Sequence, residues 1–315
     1  MSDIRARLTD PALPNRAVDL GFRGEDGPDL LAAVAEVLDR PDDLDWIARN
    51  AERLQARVGD FGSSAEAGCW REPEGPSTSS GRSAEPPTGS GRIAGLLPML
   101  TLLVTAPEVA AYHAQRGISP EISRATLADL GQQVWVHRQT YGEFGLHTHD
   151  WLCWAWSGSL YWLGRLQFGL QLEEAAADRP PQWVLSVHIP RSGPLTRESV
   201  DDSFAAATDF FARYFPEYPT REFTCQSWML DPQLATLVPE SNLAAFQQRW
   251  HLSGDAQPGD PDVFFFVFNQ RGPVDVASLP RDTALRRAIA DGLAAGRHWS
   301  VAQGRLPQRQ GACDA

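Results

Sequence analysis

The period of the apolar positions changes along the chain. Within residues 28–58, Leu30, Leu31, Val34, Val37 and Leu38 recur at helical spacing. Leu44, Ile47 and Leu54 repeat that stripe after Asp42, Asp43 and Asp45, carboxylates that suit the positive end of a helix dipole. Helix resumes near Ile93. It starts again at Ser119-Pro120-Glu121, an N-cap followed by proline at the first helical position. Ile122, Leu127, Leu130 and Val134 continue that helix until Gly142 and Gly145 break the pattern. Residues 61–92 differ: Gly, Ser, Pro and Glu dominate, and Trp70 is almost the sole large apolar group. Such a segment buries too little to offset its ordering entropy, which predicts a mobile insertion.

From Trp151 the texture turns to strands. Leu152 to Trp156 and Leu160 to Leu172 flank Ser157-Gly158-Ser159, a hairpin signal. In the second run Arg165 and Gln167 alternate on one face of an apolar strand, which makes both either candidates for contacting a substrate or parts of an ordinary solvent face. Trp183 to Ile189 has the content of a buried strand, ended by Pro190. The turn Arg191-Ser192-Gly193-Pro194-Leu195-Thr196 leads into a helix from about Glu198, with Phe204, Phe211 and Phe215 along it and Phe210 and Tyr214 beside them. A strand from Glu222 to Leu230 and a helix opening at Asp231-Pro232 follow. Val263 to Phe268 reads as a strand buried on both faces, Thr283 to Leu293 as a helix, and the chain from Gln303 as a frayed polar tail.

Strand, helix, strand at 183–230 favours a parallel unit, and in open α/β sheets ligands sit beyond the carboxyl ends of such strands. Attention therefore falls on residues 188–199 and 225–231. The fold class is α/β (α+β). A helical N-terminal domain spans 1–145, a mixed-sheet domain 146–305, and a short tail 306–315.

Composition narrows the chemistry. The 315 residues carry a net charge of −12, which argues against nucleic acid and anionic membranes as partners. All 28 basic residues are arginine, so Schiff-base lysine chemistry and a lysine-bearing P-loop are ruled out. Cys69, Cys153, Cys225 and Cys313 lie far apart, which suggests reduced thiols. The N-terminus lacks a signal-peptide core, and the run Ile93 to Val104 is interrupted by Pro98 and is too short for a bilayer. A cytoplasmic location is the expectation.

His147-Thr148-His149-Asp150 is one candidate cluster, since two histidines two apart can share a metal. No glutamate follows at the spacing a cupin site needs, and a hydrogen-bonded turn is the simpler reading. His188 ends the central strand with a titration range suited to proton transfer; the competing reading is a ring satisfied by a backbone carbonyl. Ser186 shares its strand face. Cys225 is either a reacting thiol or a buried inert one, and Asp231 is either a substrate contact or an N-cap.

The order of strands and helices in the C-terminal half resembles the core of the GNAT acyltransferase fold. The likeness is sharpest at Glu240-Ser241-Asn242-Leu243-Ala244-Ala245-Phe246-Gln247-Gln248-Arg249-Trp250-His251. With Gly164-Arg165-Leu166-Gln167-Phe168, Trp228-Met229-Leu230-Asp231-Pro232 and the helical N-terminal domain, the chain resembles a bacterial two-domain acyltransferase family. The resemblance covers nearly everything outside 61–92. It implies an N-acyltransferase that takes acyl-CoA as co-substrate, needs no metal, and acylates an amine of a small molecule or peptide. It places the pyrophosphate at Arg191, Ser192 and Gly193, where helix-terminal amides attract phosphate. Ser186 would floor the cofactor site, Asn242 would contact the cofactor, His188 would serve as base, and Cys225 or a water would serve as acid. Two features depart from the family pattern: Pro194 removes a donor amide from the turn, and Phe246 stands where many members carry a proton-donating tyrosine. A catalytically inactive GNAT-like binding module and a metal enzyme built on His147, His149 and Asp150 are the alternatives.

Overall fold

The structure is a computed structural model that describes residues 2–61, 70, 92–175 and 179–308. The glycine- and serine-rich segment expected to be mobile, apart from Phe61, Trp70 and Arg92, lies outside the described residues, as do residues 309–315. The chain forms two compact units, Met1–Tyr161 and Trp162–Ala315.

The first unit is helical: α1 Ser2–Leu8, α2 Leu13–Asp19, α3 Asp26–Leu38, α4 Pro41–Ala56, α5 Leu96–Gln115, α6 Pro120–Leu127, α7 Asp129–Tyr141 and α8 His149–Trp156. The stripe Leu30, Val34 and Val37 of α3 and Leu44, Ile47 and Leu54 of α4 is buried, as its spacing predicts. Ser119 caps α6 by accepting from the Ile122 amide at 3.4 Å. The most buried element is α5, from Met99 to Val104 entirely inaccessible. It continues past Val104, where the apolar run ends, through Pro107 to Gln115, and is long and apolar enough to cross a membrane by length and composition. Its most apolar window is 61% buried in this unit's core, the ordinary state of a central helix in a folded domain.

The stretch 149–156 is a helix, not the strand its tryptophans suggest. Leu152, Cys153, Ala155 and Trp156 are buried, a spacing that closes on one face only at 3.6 residues per turn. Trp156 also donates its indole N–H to the Leu102 carbonyl at 3.0 Å, which fixes α8 against α5. Aromatic content favours strands only where a pleated surface is there to receive it.

The sheet unit holds β1 Leu160–Leu163 (which straddles the boundary), β2 Leu166–Glu173, β3 Gln182–His188, α9 Arg197–Tyr214, β4 Thr220–Ser227, α10 Gln233–Leu237, α11 Asn242–Gln247, β5 His251–Pro258, α12 Asp260–Phe268, α13 Ala284–Ala294 and β6 Ser300–Pro307. The strand order is β1-β2-β3-β4-β6-β5. β2 and β3 are antiparallel, β3 and β4 parallel across α9, and β6 antiparallel to both β4 and β5. The tight turn is Gly164-Arg165. Gly164 has φ +69°, and a Cβ there would sit 2.7 Å from the Ser203 hydroxyl.

Three expectations fail in this unit. The run Leu160 to Leu172 is two strands broken at the Gly164-Arg165 turn, so Arg165 does not alternate with Gln167 on a strand face. Val263 to Phe268 belongs to helix α12, opened by Asp260-Pro261 and closed by Asn269 in the left-handed region at φ 58°. A run apolar at every position carries no period, so its end signals decide, and Asp-Pro before it with Asn after it are helix ends. Gln303 is no tail residue either: it lies inside β6, paired with Gln226 and Ser253.

Register gives the sheet two unlike faces. Phe168 pairs with Val187 and Leu185 with Phe223, so these side chains share one face with Cys225 and Gly304. Phe204 of α9 closes on that face, 5.8 Å from Phe168 and 4.7 Å from Phe223 between ring centroids. Trp250 lies 6.0 Å from Phe204 and 5.7 Å from Phe246 of α11. On the other face the register sets Gln167 opposite His188, Gly169 opposite Ser186, Ser186 beside Thr224, and Thr224 opposite Arg305.

Candidate active site

The parallel ladder between β3 and β4 runs from Trp183↔Thr220 to Ser186↔Thr224 and goes no further. Beyond it β3 stays with β2 as far as His188↔Gln167, while β4 stays with β6 through Ser227↔Ala302. The two central strands therefore diverge where Ser186 and His188 stand. Successive residues of a strand turn their peptide groups to opposite edges, so one of Val187 and His188 directs its N–H and C=O toward the gap.

His188 Nε2 lies 3.1 Å from Ser186 Oγ, and that hydroxyl donates to the Gly169 carbonyl at 3.1 Å. A hydroxyl carries one proton. With it committed to Gly169, Ser186 accepts from His188, so Nε2 bears the imidazole proton and Nδ1 bears the lone pair. Burial pushes the His188 pKa down to about 4, which keeps the ring neutral at neutral pH. The ring is nonetheless only half-buried. Gln167, 2% exposed, is its cross-strand neighbour on the same face. A neutral, tautomer-fixed imidazole at a strand splay can accept a proton from a bound nucleophile and return it to a leaving group.

The other candidate residues are dispersed. Cys225 points to the opposite face, so Ser186, His188 and Cys225 do not floor one site; burial raises its thiol pKa to about 12, which suppresses the thiolate. Asp231 is 1% exposed, and its carboxylate is taken up within the fold. It accepts from the Gln233 amide at 2.8 Å, the Ser300 amide at 2.7 Å and the Ser300 hydroxyl at 2.9 Å, tying the end of β4 to the start of β6. Asn242 is exposed in the first turn of α11, whose N-cap is Ser241. Arg191 donates to the Asn269 side chain at the end of α12, and burial, then Arg286, lowers its pKa. Ser192 and Gly193 form the exposed crest of the β3–α9 turn, Gly193 at φ 133° with open space where a Cβ would stand. Arg165 reaches that turn from below. Its Nη1, Nη2 and Nε donate to the carbonyls of Pro190, Gly193 and Pro194 at 2.9, 2.9 and 3.1 Å.

The alternative cluster also comes apart. His147 Nδ1 meets His137 Nδ1 at 3.1 Å, whereas His149 Nδ1 meets Asp150 at 3.2 Å. Among the described residues no group of three or more His, Cys, Asp or Glu side chains is arranged to hold a metal. Sequence reading overlooked Thr224, which register alone sets beside Ser186. It also overlooked the role of Gly169, whose carbonyl fixes the tautomer.

A helical unit followed by a mixed sheet with splayed central strands defines an acyltransferase of the GNAT type, and comparison with known proteins agrees. The model of an N-acyltransferase N-terminal domain matches residues 11–158, and that of a GNAT-like C-terminal domain matches 160–306. The chain is 31% identical to an acyltransferase solved with decanoyl-CoA and teicoplanin, over 94% of this chain and 87% of that one, with a TM-score of 0.78. An acyltransferase solved with CoA and 10C-teicoplanin is 30% identical over the same shares, with a TM-score of 0.79. Another, in complex with decanoyl-CoA, is 29% identical over 98% of this chain and 99% of that one, with a TM-score of 0.73. Comparison with curated proteins finds no match. The chain belongs to the two-domain N-acyltransferase family with a GNAT-like C-terminal domain.

Proposed function

We propose that this acyltransferase moves a medium-chain acyl group from acyl-CoA to an amine of a glycopeptide, with His188 as the proton carrier. The observation that carries the reading is the Gly169–Ser186–His188 hydrogen-bond chain at the splay, which orients the imidazole through Nε2. The donor and acceptor classes rest on the neighbours, solved with decanoyl-CoA and with teicoplanin at about a third identity over most of both chains.

The amine nitrogen attacks the thioester carbonyl carbon, and the C–O π electrons move onto oxygen. A backbone N–H in the gap between β3 and β4 stabilises that oxyanion. Nδ1 of His188 takes the proton from nitrogen, the oxygen electrons reform the carbonyl, and the C–S bond breaks with its pair going to sulfur. The imidazolium then gives its proton to the thiolate, so amide and free CoA thiol leave with all atoms balanced. A ring with pKa about 4 parts readily with that proton, which answers the lack of a hydroxyl at Phe246. The turn Arg191–Thr196 binds the donor's phosphates.

The test is mass-spectrometric assay of the purified chain with acetyl-, octanoyl- and decanoyl-CoA and a deacylated glycopeptide, alongside calorimetric titration of CoA. Expected is a mass gain of one acyl group, fastest with the medium chains. Tight CoA binding without acylation of the glycopeptide would refute the acceptor; no CoA binding at all would refute the donor.

A further inference from the structure

The turn after β3 has a single glycine, Gly193, and Pro194 takes one amide out of it. Its shape is imposed instead by Arg165. That guanidinium donates to three carbonyls within the turn, those of Pro190, Gly193 and Pro194. Only arginine offers donors in a planar fork wide enough for three acceptors; a lysine ammonium is a point. Arg165 is held in turn by α9. Its amide donates to Ser203 Oγ at 2.7 Å, and that hydroxyl donates to the Ser199 carbonyl at 2.7 Å. Gly164 lets the chain come this close.

Peptide groups are planar and trans, so a carbonyl drawn to one side sends the N–H of the same peptide to the other. With the Pro190 and Pro194 carbonyls turned onto Arg165, the amides of Arg191 and Leu195 face away from it. Each carbonyl bonded to a cation also polarises its peptide, which strengthens the N–H on the far side as a donor. The half-buried guanidinium bonds carbonyls and no carboxylate among the described residues, so its charge is not cancelled locally. The Ser192 amide turns inward onto the Pro190 carbonyl at 2.9 Å, but with the Arg191 and Leu195 amides outward and a cation beneath it the turn presents positive potential to whatever it faces.

We infer that Arg165 is a positioning residue for the donor: it acts through the 190–194 turn to hold the amides and charge that receive the phosphates of acyl-CoA. This rests on the proposed use of acyl-CoA. It assigns Arg165 no contact with the acceptor and none with the reacting atoms.

The experiment compares the full chain with Arg165→Lys and Arg165→Ala. CoA affinity is measured by calorimetry, and kcat and KM are measured with decanoyl-CoA and with decanoyl-pantetheine, a thioester lacking the nucleotide and its phosphates. Expected for both variants is a CoA Kd raised roughly tenfold or more, through KM rather than kcat. Turnover of decanoyl-pantetheine should stay within about twofold of the parent, because that donor makes no phosphate contact. Arg165→Lys keeps the charge and the aliphatic stem, and serves if Arg165→Ala does not fold. Parental CoA affinity in Arg165→Lys would overturn the inference, since charge alone would then suffice. Equal losses on both donors would also overturn it, by reducing Arg165 to general stability. A parent chain that binds no CoA would instead defeat the donor reading beneath it.

Discussion

The two faces of the C-terminal sheet are built by the same strands and do opposite work. One face is aromatic and closed: Phe204 packs edge to face on Phe168 and Phe223, and Cys225 sits inert behind them at 4% exposure. The other is lined by Gln167, Ser186, His188, Thr224 and Arg305. Arg305 there bridges Glu173 and Glu222 at 2.7 and 2.8 Å. Burial on the first face makes stability. Partial burial on the second orients one hydrogen-bond chain, and the fixed tautomer is what that face contributes. A residue's place in the catalytic account therefore follows its parity along the strand, not its closeness in sequence.

Substitutions on the two faces should separate cleanly. His188→Gln is expected to lower turnover about 10²–10⁴-fold, with CoA affinity unchanged and the unfolding midpoint close to the parent's. Ser186→Ala, which leaves the tautomer unfixed, should lower turnover by a smaller factor of about ten. If His188→Gln acylates at the parental rate, the polar face is not the site of proton transfer. Phe223→Ala should instead cost about 3–5 kcal/mol of unfolding free energy in urea, by emptying the space between Phe168 and Phe204. A loss below about 1 kcal/mol would mean that this face is not the stabilising one.

Acid unfolding supplies a control, because depressed histidine titration is not confined to the site. Burial lowers His113 and His137 of the helical unit to about 4, as it does His188. All three fold with pKa values below the free imidazole value of about 6.5. The unfolded chain then binds more protons between pH 6.5 and 4, so their contribution is intact above 6.5 and falls as pH drops toward 4. The slope is about 1.4 kcal/mol per pH unit for each proton taken up. Thermal melts from pH 7 to 4 should show a progressively falling midpoint, and a flat profile would contradict the burial of these rings. The acidic limb of turnover should lie near pH 4 as well, well below the usual histidine range.

The smallest effect is expected at Cys225. Cys225→Ala should leave turnover within about twofold and lower stability modestly, as loss of one small buried group does. A large fall in turnover with the fold intact would bring the thiol back into the chemistry and erase the distinction between the faces.

Much of this was legible in the chain itself. Period and end signals are local, so α3, α4 and α6 were readable from spacing, the carboxylates of α4 and the Ser119 cap. The parallel β3–α9–β4 unit was readable because a strand, a helix with one aromatic stripe and another strand leave few other ways to bury that stripe. Ser186 and His188 shared a face by strand alternation alone. What the sequence left open was whatever depends on a distant partner. Leu152 to Trp156 is apolar enough for either structure, and what it packs against made it a helix; Val263 to Phe268 carries no period, and its helix shows only in the flanking Asp260-Pro261 and Asn269. Parity of Cys225 against Ser186 depends on the one-residue register shift between Trp183 and Leu185 in their pairing with β4, which no local pattern announces. Arg165 looked like a substrate contact because its strand face was visible and the three carbonyls that occupy its guanidinium, some 25 to 29 residues away along the chain, were not. Composition and period settle which segments must be buried; which polar groups are left over for chemistry is settled only after the strands have chosen their neighbours.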